Sequence, residues 1–238
     1  TMKTRLCLAM ALMLGVGCQN MDSGMVSALG GLLGGGALDS ATVAKGLKEA
    51  LSVGTERAVS GLSQPGGYGK DAARRLLIPD KLEKVGKTLR RVGLGSLVDD
   101  FEGKMNTAAE EAAAKAVPVF ANAVRSMSFT DAMGILKGGP TAATDYFKAN
   151  TSDQLRAMYS PIVRSKMEQV GTAKLYNSLM EKYNAIPLTS KPDFSLEKYV
   201  TDKALTGLFS KLGEMEKDIR ENPAARTTAL LKRVFANQ

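Results

Sequence analysis

From Leu196 to Ile219 apolar side chains return at every third or fourth position: Leu196, Tyr199/Val200, Ala204/Leu205, Leu208/Phe209, Leu212, Met215 and Ile219. A strand would need strict alternation, whereas an α-helix gathers this spacing onto one stripe. The stripe is wider than a surface helix requires, so it predicts a helix central to a helical core. Ser195 stands as N-cap just ahead of it. Asn222-Pro223 ends that helix and suits the start of another, with Thr227, Leu230/Leu231 and Val234/Phe235 on one face able to fold back onto the first. Arg220 and Arg226 flank the turn. They are expected to find carboxylate or carbonyl partners on a neighbouring helix, or, as the sharper alternative, to clamp an anionic ligand.

The rest of the chain keeps helical time as well. Val43, Leu47, Ala50/Leu51, Ala58/Val59 and Leu62 trace a helix starting near Asp39-Ser40 and ended by Gln64-Pro65-Gly66-Gly67. A loop then runs to Ile78-Pro79, and Pro79 opens a helix burying Leu82, Val85 and Leu89. Residues 96–127 read as one long helical segment kinked or restarted at Pro118. Ser128-Phe129-Thr130-Asp131 is a capping signature for a short helix over 129–137, stopped by Gly138-Gly139-Pro140. Residues 141–150 read as a further helix, and Thr151-Ser152-Asp153-Gln154 as the cap of a separate one over 155–170, interrupted by Pro161. A helix over 172–186 and a linker over 187–194 lead into the central helix. With no alternating strand and no fixed-period repeat, the class is all-α: a single bundle-like domain over residues 39–238 with about eight to ten helices.

Composition narrows the chemistry. There is no His among the 238 residues, which removes His-based triads and His-metal sites and leaves Asp, Glu, Lys and Tyr for acid–base work. Both cysteines, Cys7 and Cys18, lie in the first 18 residues, so the body of the protein has no disulfide framework and no Cys-rich zinc site. Met2-Lys3-Thr4-Arg5 followed by an apolar run over 6–16 suits a signal peptide, and eleven residues are too few for a membrane-spanning helix. Gly17-Cys18 resembles a bacterial lipobox, with Gly15 standing where that pattern prefers Leu. The resemblance implies removal of residues 1–17, lipidation of Cys18 as the mature N-terminus, and a membrane anchor. Ordinary signal-peptidase cleavage, with Cys18 incidental, is the alternative. Gln19 after the cysteine favours the outer membrane by the same resemblance. Residues 18–38, rich in glycine over 30–36, read as a tether and not as a phosphate-cradling loop, because no Lys-Ser/Thr follows.

Three chemical candidates stand in the body. Ser195-Leu196-Glu197-Lys198 has Ser-x-x-Lys spacing, but no Lys-Thr-Gly follows, so an N-cap serine explains it more simply. Asp99-Asp100-Glu102 and Glu110-Glu111 read as solvated faces, with no calcium-loop spacing and no metal role expected. Positive charge is the strongest candidate: eight basic residues against three acidic ones leave +5 within residues 70–91, much of the whole chain's +8. Lys84, Lys87 and Arg91 fall on one helix face, suited to anionic lipid headgroups or the phosphates of an envelope polymer. Nucleic acid is not expected, since no aromatic residues interleave with the basic run and no reading motif is present.

Three blocks together resemble a known family: residues 47–55 (Leu47 to Thr55), residues 127–139 (Met127-Ser128-Phe129-Thr130-Asp131-Ala132 with Ile135-Leu136-Lys137-Gly138-Gly139), and residues 219–228 (Ile219-Arg220-Glu221-Asn222-Pro223 onward). They resemble the bacterial envelope family catalogued as domain of unknown function 4197, over roughly residues 41–235. The resemblance implies an α-helical exported protein, often with a lipoprotein leader, and brings no catalytic residues or cofactor. The expected function is therefore a membrane-tethered lipoprotein with a structural or binding role at the periplasmic face of the cell envelope. The alternative is a hydrolase using Asp, Glu, Lys or Tyr in a cleft between helices.

Overall fold

The computed structural model describes residues 39–169, 171–185 and 194–226, together with Lys232. Their α-helices are α1 (Ser40–Ser63), α2 (Glu83–Arg91), α3 (Gly95–Ala113), α4 (Ala116–Ser126), α5 (Phe129–Lys137), α6 (Ala142–Gln169), α7 (Thr172–Asn184) and α8 (Leu196–Glu221). Short 3-10 turns occupy Asp80–Leu82 and Pro223–Ala225, and no strand occurs among the described residues. The fold is all-α. The leader, Cys18 and the tether in residues 1–38, residue 186 at the end of the expected helix, all of the expected linker except Phe194, and Thr227, Leu230, Leu231, Val234 and Phe235 lie outside the described residues. No helix of the described residues is long and apolar enough to cross a membrane.

Local signals account for several helix starts. Asp39 caps α1, its Oδ1 accepting from the Ala41 and Thr42 amides at 2.9 Å. Ser128 and Asp131 form a reciprocal capping box at α5, where N3 and N-cap satisfy each other's amides. Ser195 caps α8 through the Lys198 amide.

Two expected boundaries differ. The segment over 96–127 does restart as a second helix, but at Ala114-Lys115 and not at Pro118, which is the third residue of α4, where a missing amide has no intrahelical partner to lose. Conversely, the two helices expected over 141–150 and 155–170 are one, α6. The hydroxyls of the expected cap bond backward along the helix instead: Thr151 Oγ1 donates to the Phe147 carbonyl and Ser152 Oγ to the Lys148 carbonyl, both at 2.6 Å. Gly171, at φ 78°, then turns the chain into α7 in a conformation that side-chain-bearing residues avoid.

Helix α8 packs against α1, α3 and α6, and α3 in turn packs against α1, α2, α6 and α7. The centre therefore belongs to α3, α6 and α8 together. Phe120 meets Phe147 edge-on at 5.1 Å and Phe209 at 6.3 Å, which ties α4, α6 and α8 at one core point.

The loop between α1 and α2 is built into this core. Tyr68 is fully buried, and its hydroxyl donates to the Ala204 carbonyl at 2.7 Å. Its ring lies on Gly207 of α8, where a Cβ would stand 2.5 Å from Cε1, so only glycine admits the approach.

A buried loop must satisfy its backbone polar groups. Helix α3 does so with side chains spaced one turn apart. Glu110 Oε1 accepts from the Tyr68 and Gly69 amides, both at 3.1 Å. Asn106 pairs with both polar groups of Leu76, at 2.9 and 2.8 Å. Glu102 accepts from the Ile78 amide and the Arg75 guanidinium, each at 3.0 Å. Asp99, Asp100 and Glu111 are exposed as expected, but Glu102 and Glu110 are buried. That part of the solvated-face reading is overturned, because the loop brings its amides to them.

Candidate functional site

Helix α2 buries Val85, Gly86 and Leu89 against α3 and α7. Gly86 leaves room for Ile78, whose Cδ1 would stand 2.9 Å from a Cβ at that position. The opposite side carries Lys84, Lys87 and Arg91, all exposed. Lys87 pairs with Glu83 one turn back at 2.5 Å, which holds the Glu83 carboxyl below its usual range. Lys84 and Arg91 meet no carboxylate among the described residues.

The rest of the basic run over 70–91 does not join this face as one patch. Arg74 is buried between Asp71 and Glu214, Arg75 reaches Glu102, and Arg90 turns to Asp99 at 2.7 Å and Glu102 at 3.8 Å. These cations hold the loop and α3 in place. The surface charge offered to a partner is thus narrower than the count of basic residues implies.

Arg220 and Arg226 lie elsewhere, at the C-terminal end of α8. Arg220 donates to Glu216 Oε1 through Nε (3.1 Å) and Nη2 (2.9 Å), and through Nη2 to the Ile135 carbonyl of α5 at 2.8 Å. Arg226 donates to the Ile219 and Arg220 carbonyls, at 3.0 and 2.8 Å, closing the last turn of α8. Asn222 Oδ1 accepts from the Ala224 amide at 3.0 Å, capping the turn that follows. The carboxylate and carbonyl partners are the ones a junction needs.

Glu216 was not singled out by its sequence context, yet it anchors this corner. It is buried, and its two oxygens accept from the Ala143 amide (2.9 Å), the Thr144 amide (2.8 Å) and the Thr144 hydroxyl (2.8 Å) at the start of α6. A carboxylate at a helix N-terminus meets orphan amides and the positive end of the dipole. Its place at i−4 from Arg220 on an apolar helix face was the available signal.

The remaining chemical candidates resolve structurally. Lys198 Nζ stands 2.8 Å from Asp202 Oδ2, one turn onward, while Ser195 Oγ serves the helix cap. Among the described residues, no group of three or more metal-ligating side chains stands together. A cavity of about 30 Å³ lies between α1, α5, α6 and α8, lined by Leu47, Leu51, Ile135, Leu212 and Ile219 with Glu216 and Arg220 at its edge.

The three sequence blocks quoted above meet at this cavity. The first lines it from α1, Ile135 and Ile219-Arg220 line it from the other two, and Lys48 donates to the Met127 carbonyl across the junction. The chain matches the family described as protein of unknown function (DUF4197) over residues 37–236. It belongs to that family. No curated protein and no solved structure matches it. The DUF4197 match spans every described residue, from the α1 cap at Asp39 onward. Since the family description carries no activity, the roles of Lys84, Lys87, Arg91, Arg220 and Arg226 rest on their geometry alone.

Proposed function

We propose that this DUF4197 protein is an exported lipoprotein, tethered through Cys18 at the periplasmic side of the outer membrane, with a structural or binding role in which α2 faces an anionic surface. The observation that carries the contact is the exposed row of Lys84, Lys87 and Arg91, two of whose charges meet no carboxylate among the described residues. A tethered domain needs only a weak contact, because the anchor holds it near its partner. Against the hydrolase alternative, the buried Glu102 and Glu216 are engaged on both oxygens by amide, hydroxyl and guanidinium groups, and the buried Glu110 holds two loop amides on Oε1.

Each basic residue near an anionic membrane contributes about 1 kcal/mol, so reversing all three should remove most of the binding. The purified protein should bind anionic vesicles in low salt and release in high salt. The triple variant Lys84→Glu, Lys87→Glu, Arg91→Glu should not bind. Equal retention of wild-type protein on neutral and anionic vesicles would refute the contact. Mass spectrometry of the mature protein tests the anchor separately, with an unmodified N-terminus counting against it.

A further inference from the structure

We propose that the partner of the α2 face is an anionic phospholipid bilayer, and that Val92 and Leu77 enter its headgroup layer beside the contacts of Lys84, Lys87 and Arg91. This deepens the function proposed above and rests on that reading of α2. Leu77, Val92 and Phe129 are the large apolar side chains left more than half exposed among the described residues, at 53, 58 and 51 %. Two of the three border α2. Val92 follows Arg91 directly and closes the helix. Leu77 precedes Ile78, whose side chain occupies the space beside Gly86 of α2.

Both are held out by a fixed backbone. Helix α2 ends in a Schellman turn: the Gly93 amide, at φ 84°, donates to the Arg90 carbonyl at 3.3 Å, and the Leu94 amide donates to the Leu89 carbonyl at 2.8 Å. Leu94 packs against the core, and Val92 is left outside it. Around Leu77, the Leu76 and Ile78 amides are taken by Asn106 and Glu102, and the Leu77 carbonyl accepts from the Tyr199 hydroxyl at 3.0 Å. Leu76 is buried and Ile78 packs against the core, so Leu77 between them faces water.

One exposed valine or leucine is ordinary on a protein surface. Two held rigidly beside a helix whose Lys84 and Arg91 meet no carboxylate among the described residues combine the two attractions that bind peripheral proteins to lipid. A phosphate-bearing polymer would satisfy the charges and leave both apolar side chains in water. An anionic bilayer satisfies both.

The chain has no Trp, so Val92→Trp installs a single fluorophore at the contact. In the full-length protein its emission should shift to the blue on phosphatidylglycerol vesicles and be quenched by bromine atoms on their acyl chains. It should stay water-like on phosphatidylcholine vesicles and with soluble polyphosphate. Phe129→Trp, on α5, should keep its emission throughout. The double variant Leu77→Ser, Val92→Ser should weaken binding to phosphatidylglycerol vesicles by about tenfold, because apolar burial is lost. Its salt dependence should match wild type, since no charge changes, and so should its melting temperature, since both side chains are exposed.

Salt-sensitive vesicle binding with unchanged Val92→Trp emission and wild-type affinity in the double variant would overturn the insertion and leave the charged contact standing. Binding to polyphosphate as tight as to vesicles, again without a blue shift, would assign the face to a polymer and overturn the bilayer. Failure of the wild-type protein to prefer anionic vesicles would remove the underlying contact and the insertion with it.

Discussion

Asn106 offers the clearest measure of how the loop between α1 and α2 is held. Its side-chain amide does the work of a neighbouring strand: Oδ1 accepts from the Leu76 amide at 2.9 Å while Nδ2 donates to the Leu76 carbonyl at 2.8 Å. Both residues are buried, so no solvent stands ready to replace those bonds. Asn106→Leu keeps the volume and removes both partners, leaving one amide and one carbonyl unpaired. Each orphaned buried group costs about 1–3 kcal/mol, so the sum is about 2–6 kcal/mol.

The Glu102 carbonyl, which Nδ2 also contacts at 2.7 Å, belongs to the α3 ladder and loses less. Some relaxation of the loop toward water lowers the total, and about 3 kcal/mol is the expected loss. Urea unfolding followed by far-ultraviolet circular dichroism should show it. With a slope of about 2 kcal/mol per molar urea, the midpoint falls by about 1.5 M. Hydrogen exchange should accelerate at the Leu76 amide in particular. As a control, Thr107→Ala one residue on removes only a partly exposed hydroxyl bond to the Gly103 carbonyl, and should stay within about 0.5 kcal/mol. If Asn106→Leu unfolds like that control, with Leu76 equally protected, the pairing does not hold the loop.

Gly207→Ala forces a Cβ to within 2.5 Å of Tyr68 Cε1; overpacking of about 1–3 kcal/mol should exceed the gain of about 1 kcal/mol in helix propensity, and in a Tyr68→Leu background the same change should turn neutral or stabilising in denaturant melts. A cost unaffected by the background would remove Tyr68 from the explanation. Arg220→Met strips the cation from buried Glu216 but leaves its amide donors, so a loss of about 2–3 kcal/mol is expected; unchanged melting would show that Glu216 needs no counter-charge. Arg164, with Nε 2.7 Å from Glu197 Oε2, and then Ser160 hold the Glu197 carboxyl below its ordinary range. A depressed folded-state value contributes stability above the unfolded-state value and loses it as pH falls through the folded one. The melting-temperature gap between wild type and Glu197→Gln should therefore be widest near neutrality and close in acid, and a constant gap from pH 7 to pH 3 contradicts the linkage.

What the chain determined by itself is local. Apolar recurrence over 196–219, the caps at Asp39, Ser128 and Ser195, and the spacing of Lys84, Lys87 and Arg91 depend on neighbours within two turns, so a helix expresses them wherever it packs. Thr151-Ser152-Asp153 shows the limit of such signals. The same hydroxyls can cap a new helix or bond back into an existing one, and continuous burial of Phe147, Thr151 and Leu155 along α6 accompanies the second outcome.

The candidate site divides the same way. The α2 face was legible because its members share one helix. That Arg74, Arg75 and Arg90 would leave the basic run for Asp71, Glu214, Glu102 and Asp99 was not. Nor was it legible that Glu102, Asn106 and Glu110 would serve a loop some 24 to 42 residues away. A charged or amide side chain on a helix has no preference of its own between water and a buried partner. Only a second element arriving with unmet backbone groups makes burial the lower free energy, and that arrival is decided by tertiary packing.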